Sequence, residues 1–369
     1  MNTRKIFLLA FLILGSVQFS HADEYTWSAT QTFLWSYGSK EFVQIGPTVE
    51  GTDIYSNGAY SLNDLGEVAG VYRGNSFVWS KEEGFADLGT NPTPDAFMTY
   101  AINNNSQVVG WGTDIENVEH SYIWTSEDGF TLIDPSKTPS QAHDINDIGQ
   151  VVGHLGYQAY IWSESDGIEY IGNLGIRSYA AEINNNGQII GSANILIGSD
   201  PYNWRVFLYD DENGIRDLGV LDGYSHSAPS GINDNGQVLG WSYEYDNASE
   251  QDVDQGFIWD EENGLQSLAA QIGTLGGIYT VGFDINNLGH IIGRSTTASG
   301  EWHPFFFSET TGLIDLTDLY GFSWVGPLNN NDQLIVYNRI TGVPEPATML
   351  LLATGLVGLA GLRKKFTRS

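Results

Sequence analysis

The sequence predicts an all-β fold, a seven-bladed β-propeller built from repeated four-stranded units. One ten-residue pattern, seen as EINNNGQIIG at residues 182–191, occurs seven times with variations. Its repeated asparagine falls at Asn63, Asn103, Asn146, Asn184, Asn233, Asn286 and Asn329. An aromatic pattern such as YIW at residues 122–124 lies between successive copies and also occurs seven times. Four short strands repeating every 40–50 residues or so are typical of a propeller blade.

The repeated asparagine is predicted to begin a tight hairpin. In the copy at Asn184, β-branched residues flank four polar residues, 184–187. An Asn at the first position bonds its own backbone, and a Gly at the fourth takes a positive φ without Cβ strain. Ser106 and Asp332 replace this Gly in two copies, and Asp tolerates the left-handed conformation better than Ser. We therefore interpret the seven asparagines as structural rather than as ligand-binding residues.

The aromatic pattern predicts the other two strands of each unit. It is followed by an acidic or hydroxyl-rich turn, as in WSKEEGF at residues 79–85. The repeat region begins with an aromatic hairpin, residues 33–45, and ends with an asparagine hairpin, residues 328–339. If these two halves share one sheet, pairing of the terminal strands closes the ring and leaves no free edge. A β-solenoid and a pair of β-sandwiches fit the period and the seven copies less well, and residues 23–342 show no convincing helical periodicity.

The N-terminal residues 1–22 are predicted to be a signal peptide read by the Sec translocon. Arg4 and Lys5 precede an apolar run, and Ser20-His21-Ala22 provides a cleavage site with small residues. The alternative is an uncleaved N-terminal anchor. The region from residue 23 to residue 342 is then the propeller, and residues 343–369 form a separate C-terminal segment.

That C-terminal segment has three parts in a fixed order. Sixteen mostly apolar residues, 347–362, would form about 24 Å of helix, short against about 30 Å of hydrocarbon, so the helix needs its flanks or local thinning to span. The basic tail after this transmembrane helix should stay cytoplasmic, which leaves the propeller outside. A buried core helix is the alternative. The motif before the helix is Val343, Pro344, Glu345, Pro346, and the tail begins with Arg363, Lys364, Lys365.

This order resembles the PEP-CTERM sorting signal, over residues 343–369 only. The resemblance implies an exosortase partner that recognises Pro344, Glu345 and Pro346, removes the tail and passes the protein towards the surface of a Gram-negative bacterium. It also implies an association with exopolysaccharide and biofilm matrix. The expected location is therefore the cell surface or the extracellular space, reached through a transient form anchored in the inner membrane.

The repeats also resemble the extracellular HAF-repeat family, named for a His-Ala-Phe-hydrophobic-Trp strand. The strand is present here as HSYIW at His120, QAYIW at Gln158, QGFIW at Gln255 and HPFFF at His303. Partner motifs, such as IGTLGG at residues 272–277, keep the family's order. The resemblance implies a secreted β-repeat protein of largely unassigned activity.

The net charge and the amino-acid composition limit which partners the protein can bind. Residues 23–342 carry 9 basic and 44 acidic side chains, a formal net charge of −35. Such an acidic protein repels nucleic acids and anionic lipids, so we expect membrane contact only through the C-terminal helix before processing. The chain has no cysteine, which excludes disulfides and thiolate metal sites.

The sequence contains few motifs that are typical of catalytic sites. The seven histidines form no HExxH pair, and no GxSxG, P-loop or GxGxxG motif is present. The neighbours His143 and Asp144 are interpreted as a loop hydrogen bond rather than half of a triad. We therefore expect a non-catalytic protein that binds matrix glycans or proteins. A carbohydrate-active hydrolase with its site on the propeller loops is the alternative, and an assembly part of an envelope machine is a third.

Two further ligand hypotheses concern the variable segment 242–255 and four aromatic residues at the rim. Asp252 and Asp254 place oxygen donors at alternate positions, which suits calcium, although a solvated acidic loop is the favoured interpretation. No other cofactor is expected. Four rim aromatics either stack on sugar rings or pack at blade edges: Trp111, Trp204, Tyr243 and Tyr245.

Overall fold

A computed structural model describes residues 30–45, 57–72, 74–89, 97–172, 174–197, 200–246 and 251–339. Within these ranges the chain forms seven four-stranded antiparallel sheets, as the repeats predict. The strands are β1 (Thr30–Ser36), β2 (Glu41–Gln44), β3 (Asn57–Leu62), β4 (Val68–Tyr72), β5 (Asn75–Ser80), β6 (Gly84–Asp87), β7 (Phe97–Ile102), β8 (Val108–Thr113), β9 (Glu119–Thr125), β10 (Gly129–Leu132), β11 (Ser140–Ile145), β12 (Val151–Leu155), β13 (Gln158–Ser163), β14 (Gly167–Tyr170), β15 (Arg177–Ile183), β16 (Ile189–Ile197), β17 (Asp200–Asp210), β18 (Gly214–Gly219), β19 (His226–Ile232), β20 (Val238–Asp246), β21 (Gln251–Asp260), β22 (Gly264–Ser267), β23 (Gly276–Ile285), β24 (Ile291–Thr297), β25 (Trp302–Ser308), β26 (Gly312–Asp315), β27 (Trp324–Leu328) and β28 (Gln333–Arg339).

Six blades use four consecutive strands each. Blade 1 is β3 to β6, and blades 2 to 6 follow in chain order up to β26. Blade 7 has the order β27-β28-β1-β2, so it joins the two ends of the repeat region in one sheet. The pairing of β1 with β28 runs from Thr30 opposite Arg339 to Ser36 opposite Gln333. The predicted closure of the ring is confirmed.

The core lies between neighbouring blades. The second strand of each blade is buried on both faces, because a propeller sheet has a neighbour on either side; Ile189 and Ile190 are both fully buried. The glycine that ends the ten-residue pattern permits a close approach. A Cβ on Gly191 would lie 2.2 Å from the carbonyl oxygen of Tyr179 and 2.5 Å from the ring of Phe207. The aromatic strand therefore packs against this glycine.

Two helices of one turn interrupt the β-structure, α1 (Leu268–Ile272) and α2 (Leu316–Tyr320). Asp315 caps α2, accepting hydrogen bonds from the backbone N–H groups of Thr317 and Asp318. The sequence shows no helical periodicity at these two positions, because a single turn is too short to produce one.

Residues 242–255 also differ from the sequence interpretation. Instead of an open loop, they are mostly paired strand: β20 and β21 form a long hairpin in which Ser242 lies opposite Gln255 and Asp246 opposite Gln251. Blade 4 has a similar extension, with strands of 9 and 11 residues. The polar side chains of these extensions hide the alternation by which a strand is usually recognised.

The antiparallel order gives the ring two faces. The hairpins that begin at Asn63, Asn103, Asn146, Asn184, Asn233, Asn286 and Asn329 join the first and second strands of each blade and lie on one face, called here the asparagine face. The hairpins between second and third strands, and the connections between blades, lie on the other, the loop face. The predicted signal peptide and the segment 343–369 lie outside the described residues.

Candidate functional site

The predicted turn is present in all seven hairpins. In each, the N–H of the fourth residue donates to the carbonyl oxygen of the repeated Asn. In the fourth copy, Asn184 Oδ1 also accepts from the N–H groups of Asn186 and Gln188, at 3.1 and 2.9 Å. The fourth residue has positive φ throughout, including Ser106 at 58° and Asp332 at 56°.

The same asparagines also join the blades, which sequence reasoning did not predict. Each Asn Nδ2 donates to the carbonyl oxygen of the repeated Asn in the next blade, at 2.9 to 3.2 Å. The series closes when Asn329 donates to Asn63 at 2.9 Å. The second Nδ2 hydrogen of Asn184 goes to Gln188 Oε1 at 2.8 Å. All four hydrogen-bonding positions of this amide are therefore occupied within the protein.

A second ring follows one residue later. The backbone N–H of each residue after the repeated Asn donates to the side-chain Oδ1 of its counterpart in the next blade, at 2.7 to 2.9 Å. No two aspartates are adjacent in this ring, since an asparagine amide lies between neighbouring carboxylates. Asn185 Nδ2, for example, lies 3.0 Å from Asp147 Oδ2. The members are Asp64, Asn104, Asp147, Asn185, Asp234, Asn287 and Asn330.

At two junctions between blades, a departure from the repeat in one blade is matched by a departure in the next. The fourth-position residue of one hairpin faces the Gln side chain of the preceding blade, as Gly236 faces Gln188. Where Glu67 replaces that Gln, the facing residue is Ser106, and its hydroxyl donates to Glu67 Oε2 at 2.7 Å. Where His290 replaces it, the facing residue is Asp332, whose Oδ1 lies 2.7 Å from His290 Nδ1.

Three carboxyl groups lie beside the rings, on the residue two positions before the repeated Asn. Asp144 Oδ2 accepts from the N–H of Ile183 at 2.9 Å, in the next blade. Glu182 and Asp284 make the same bond to their own next blades, at 3.2 and 2.8 Å. Sequence reasoning missed this cluster, although the signal was available as acids in register at one position of three copies.

The surroundings of these carboxyl groups disfavour their charge. Burial raises the pKa of Asp144 to about 7 and the pKa of Asp284 to about 6. Burial also raises the pKa of Glu182 well above its usual range, and the charges of Asp284 and Asp144 raise it further. The backbone N–H donors act in the opposite direction. Near neutral pH the cluster therefore retains protons that an exposed cluster would lose.

The rings surround a small cavity of about 180 Å³ on the axis of the propeller, lined by residues from all seven blades. Pockets for small-molecule ligands usually have volumes of roughly 300–1,000 Å³. The amides and N–H groups around this cavity are already used in bonds between blades. The asparagine face can hold the ring together, but it offers little room or hydrogen-bonding capacity for an organic ligand.

The loop face carries the rim aromatics, and the described ones pack on neighbours. Trp204 lies 5.6 Å from Tyr179 between ring centroids, and Tyr243 stacks on His226 at 5.0 Å. Trp111 is half-buried. The side chain of Tyr245 lies outside the described side chains. Half-buried rings are compatible with both edge packing and stacking on a sugar, so the two alternatives stay open.

The proposed calcium pair lies on β21. Asp254 Oδ2 faces Arg294 Nη2 at 3.7 Å, so a guanidinium lies beside this carboxylate. The side chain of Asp252 lies outside the described side chains, and the calcium hypothesis stays a prediction. Among the described residues, one group of three His, Asp or Glu side chains has ligand atoms within 4.8 Å of one another: His303, Asp315 and Asp318.

The histidine beside Asp144 is packed rather than poised for catalysis. His143 Nδ1 lies 2.6 Å from the carbonyl oxygen of Ala180, and burial lowers the pKa of His143 to about 4. The imidazole is therefore neutral at physiological pH, and Nδ1 is its donor to that carbonyl. Both residues lie in strand β11 rather than in the loop that the sequence analysis expected, and His143 bonds to Ala180 while Asp144 accepts from Ile183.

The propeller is similar to solved structures at low sequence identity. Virginiamycin B lyase from Staphylococcus aureus matches with a TM-score of 0.51 and 10% identity, covering 84% of this chain and 100% of that chain. The β-propeller domain of the Trilobed protease from Pyrococcus furiosus matches with a TM-score of 0.52 and 16% identity, over 79% and 93%. Acylaminoacyl peptidase from Pyrococcus horikoshii matches with a TM-score of 0.50 and 15% identity, over 79% of this chain and 48% of the peptidase. These similarities show the fold alone.

No curated protein matches the sequence at a significant level. Residues 342–365 match the family model described as the PEP-CTERM protein-sorting motif. The chain carries a PEP-CTERM sorting motif. This motif is the recognition signal of exosortase, and it implies export to the cell surface or the extracellular space. Within the described residues, neither helix is long and apolar enough to cross a membrane.

Proposed function

We propose that this protein is a non-catalytic, surface-sorted β-propeller that binds a glycan or a protein of the extracellular matrix through its loop face. Exosortase processes it at the C-terminal segment 343–369, after export through the Sec translocon and a transient membrane-anchored form. The HAF-like repeats are its scaffold.

One observation carries this proposal: the two faces of the propeller are used differently. On the asparagine face the repeated amides are used in hydrogen bonds within the protein. Asn184, for example, donates to Asn233 of the next blade and to Gln188 of its own hairpin. The loop face carries strand extensions of unequal length, such as those of blades 4 and 5. Together with a sorting motif that implies surface display, this asymmetry favours a binding role for the loop face.

The alternative is a carbohydrate-active hydrolase. Carboxyl groups with raised pKa values, such as Asp144 and Glu182, are a usual property of such sites. Here they are bonded to the backbone of neighbouring blades beside a cavity of about 180 Å³. A structural role in the ring explains them without a substrate.

The sorting part of the proposal is tested by replacing Pro344 and Pro346 with Ala in a host that has an exosortase. We expect an unprocessed, membrane-bound form, measured by fractionation and by the mass of the C-terminal peptide. The control is Pro135→Ala, in the exposed connection between blades 2 and 3. Normal processing of the Pro344/Pro346 variant would remove the sorting claim.

The binding part is tested on a glycan array and a matrix-protein blot, each with and without calcium. We expect saturable binding to at least one matrix component. A requirement for calcium would support the site at Asp252 and Asp254. A folded protein that binds neither glycans nor matrix proteins, but cleaves a polysaccharide, would replace this proposal with the hydrolase alternative.

A further inference from the structure

The loop-face junction of blades 5 and 6 contains a buried arginine with incomplete hydrogen bonding. Arg294 is 8% exposed, and its Nε has no hydrogen-bond partner among the described residues. Among the described residues, a carboxylate oxygen of Asp254 faces its Nη2 at 3.7 Å, beyond hydrogen-bond distance. A guanidinium has five N–H donors, and a buried donor left without an acceptor destabilises the protein.

Aromatic rings surround this guanidinium. Trp302 lies beneath it, with the ring centroid 4.3 Å from Arg294 Cζ. Tyr279 stacks on Trp302 at 6.2 Å, and all of these groups belong to blade 6. Across the junction, Tyr243 lies directly opposite Asp254 in the β20–β21 pairing, so their side chains share one face of blade 5. The rings are half-buried, so part of each remains open to the loop face.

The Arg294 donor and the Asp254 acceptor lie 3.7 Å apart beside aromatic rings, and this arrangement matches the chemistry of a sugar. Adjacent hydroxyl groups on a pyranose ring can accept from a guanidinium and donate to a carboxylate, while the C–H face of the ring packs on an aromatic side chain. A uronate is disfavoured, because the carboxylate of Asp254 and the net charge of −35 over residues 23–342 repel a second anion.

We propose that Arg294, Asp254, Trp302 and Tyr279 form a subsite for a neutral sugar unit of a matrix polysaccharide. The proposal rests on the function proposed above and narrows its ligand to a neutral glycan at one junction of the loop face. Arg294, held over the Trp302 ring, donates to one hydroxyl, Asp254 accepts from its neighbour, and the sugar ring packs against the part of the Trp302–Tyr279 pair that the guanidinium leaves uncovered.

Affinity electrophoresis of the exported, processed protein tests this subsite. Gels containing dextran, galactomannan or xyloglucan provide neutral probes, and an alginate gel provides a polyuronate. We expect at least one neutral gel to retard the wild-type protein. Arg294→Lys and Trp302→Phe should each weaken that retardation about tenfold in apparent dissociation constant, with the melting temperature showing that each variant is folded.

The matched control is Arg216→Lys. Arg216 also lies over a tryptophan ring, Trp259 at 5.8 Å, but its guanidinium is paired with Asp210 and Glu261. Retardation of this variant should equal that of the wild type. If Arg294→Lys does not fold, Trp302→Phe and Tyr279→Phe give the same readout.

Three results would overturn the subsite: no neutral gel retards the folded wild type, alginate alone retards it, or retardation by a neutral gel is unchanged in both Arg294→Lys and Trp302→Phe. The last result leaves the proposed function standing, with another part of the loop face as its site. Absence of binding to every polysaccharide and to matrix proteins would remove the proposed function as well.

Discussion

The two faces of this propeller use the same repeat for different purposes. On the asparagine face the blades are nearly equivalent, and each hairpin donates Nδ2 and backbone hydrogens to the next blade. On the loop face the blades differ: the second and third strands have 5 and 6 residues in blade 3 but 9 and 10 in blade 5. The repeated sequence thus stays constant where blades must interlock, and it varies where they meet solvent.

The largest expected effect concerns the closure on which both rings depend. Deleting residues 23–45 removes β1 and β2, uncovers the edge of β28 and takes away the buried side chains of Leu34 and Trp35. We expect loss of the cooperative unfolding transition and of the near-ultraviolet circular dichroism signal. Retention of a native-like transition in this variant would contradict closure by the terminal strands.

A circular permutant is the control for this deletion. Its chain starts at residue 46 and joins residue 339 to residue 30 by a short linker, because Arg339 and Thr30 are paired neighbours. Blade 7 is then one continuous segment, so all strands are retained. We expect it to fold with a melting temperature close to that of the parent protein.

The second effect compares two asparagines of one hairpin. Asn184→Ala removes an amide that makes four hydrogen bonds in a buried position, so we expect a loss on the order of 2–4 kcal/mol in the free energy of unfolding. Asn186 is exposed and donates one bond to Asp234 O, so Asn186→Ala should cost about 1 kcal/mol or less. Denaturant titration measures both. Equal losses would show that the ring contributes no more than an exposed turn.

The sequence predicted the architecture because its signals are local and repeated. Seven copies, four strands per copy and two complementary half-units at residues 33–45 and 328–339 are enough to specify seven blades and their closure. The turn at Asn184 was predictable from the chemistry of Asn and Gly within one hairpin. The bond from Asn184 to Asn233 was not, since it joins residues 49 positions apart and depends on how blades are placed side by side.

The parts that sequence reasoning missed share this non-local character. Asp144, Glu182 and Asp284 are ordinary surface residues when each strand is considered alone, and the ring brings them together. The exchange of Gly for Ser106 looked unfavourable until Glu67 of the preceding blade provided its partner. Likewise, the Nε of Arg294, unpaired within the described part of the chain, can be recognised only when the side chains around it are placed.

A smaller effect concerns the pH dependence of stability. The pKa values of Asp144, Glu182 and Asp284 are raised in the folded protein, so between about pH 4 and pH 7 the native state binds more protons than the unfolded chain. Stability is therefore expected to fall as the pH rises through this window. A tenfold difference in a group's acid dissociation constant between the folded and unfolded states changes the free energy of unfolding by about 1.4 kcal/mol.

Neutral variants sharpen this prediction. The triple variant Asp144→Asn, Glu182→Gln, Asp284→Asn keeps an oxygen acceptor at each position and removes the charge. Melting curves between pH 5 and pH 8 should show it to be more stable than the wild type at pH 8, with a flatter pH profile. Asp87→Asn, on the exposed edge of blade 1, should leave the profile unchanged. An unaltered slope in the triple variant would show that these groups titrate normally.

Hydrogen exchange tests the central claim, that the asparagine face is an interlocked ring, most directly. The backbone amides of Asp64, Asn104, Asp147, Asn185, Asp234, Asn287 and Asn330 donate to the neighbouring blade, so they can exchange only when blades separate. We predict that all seven exchange together, near the rate of global unfolding, and far more slowly than the exposed loop-face turn around Ile115. Exchange of these amides as fast as that turn would contradict the interlocked ring.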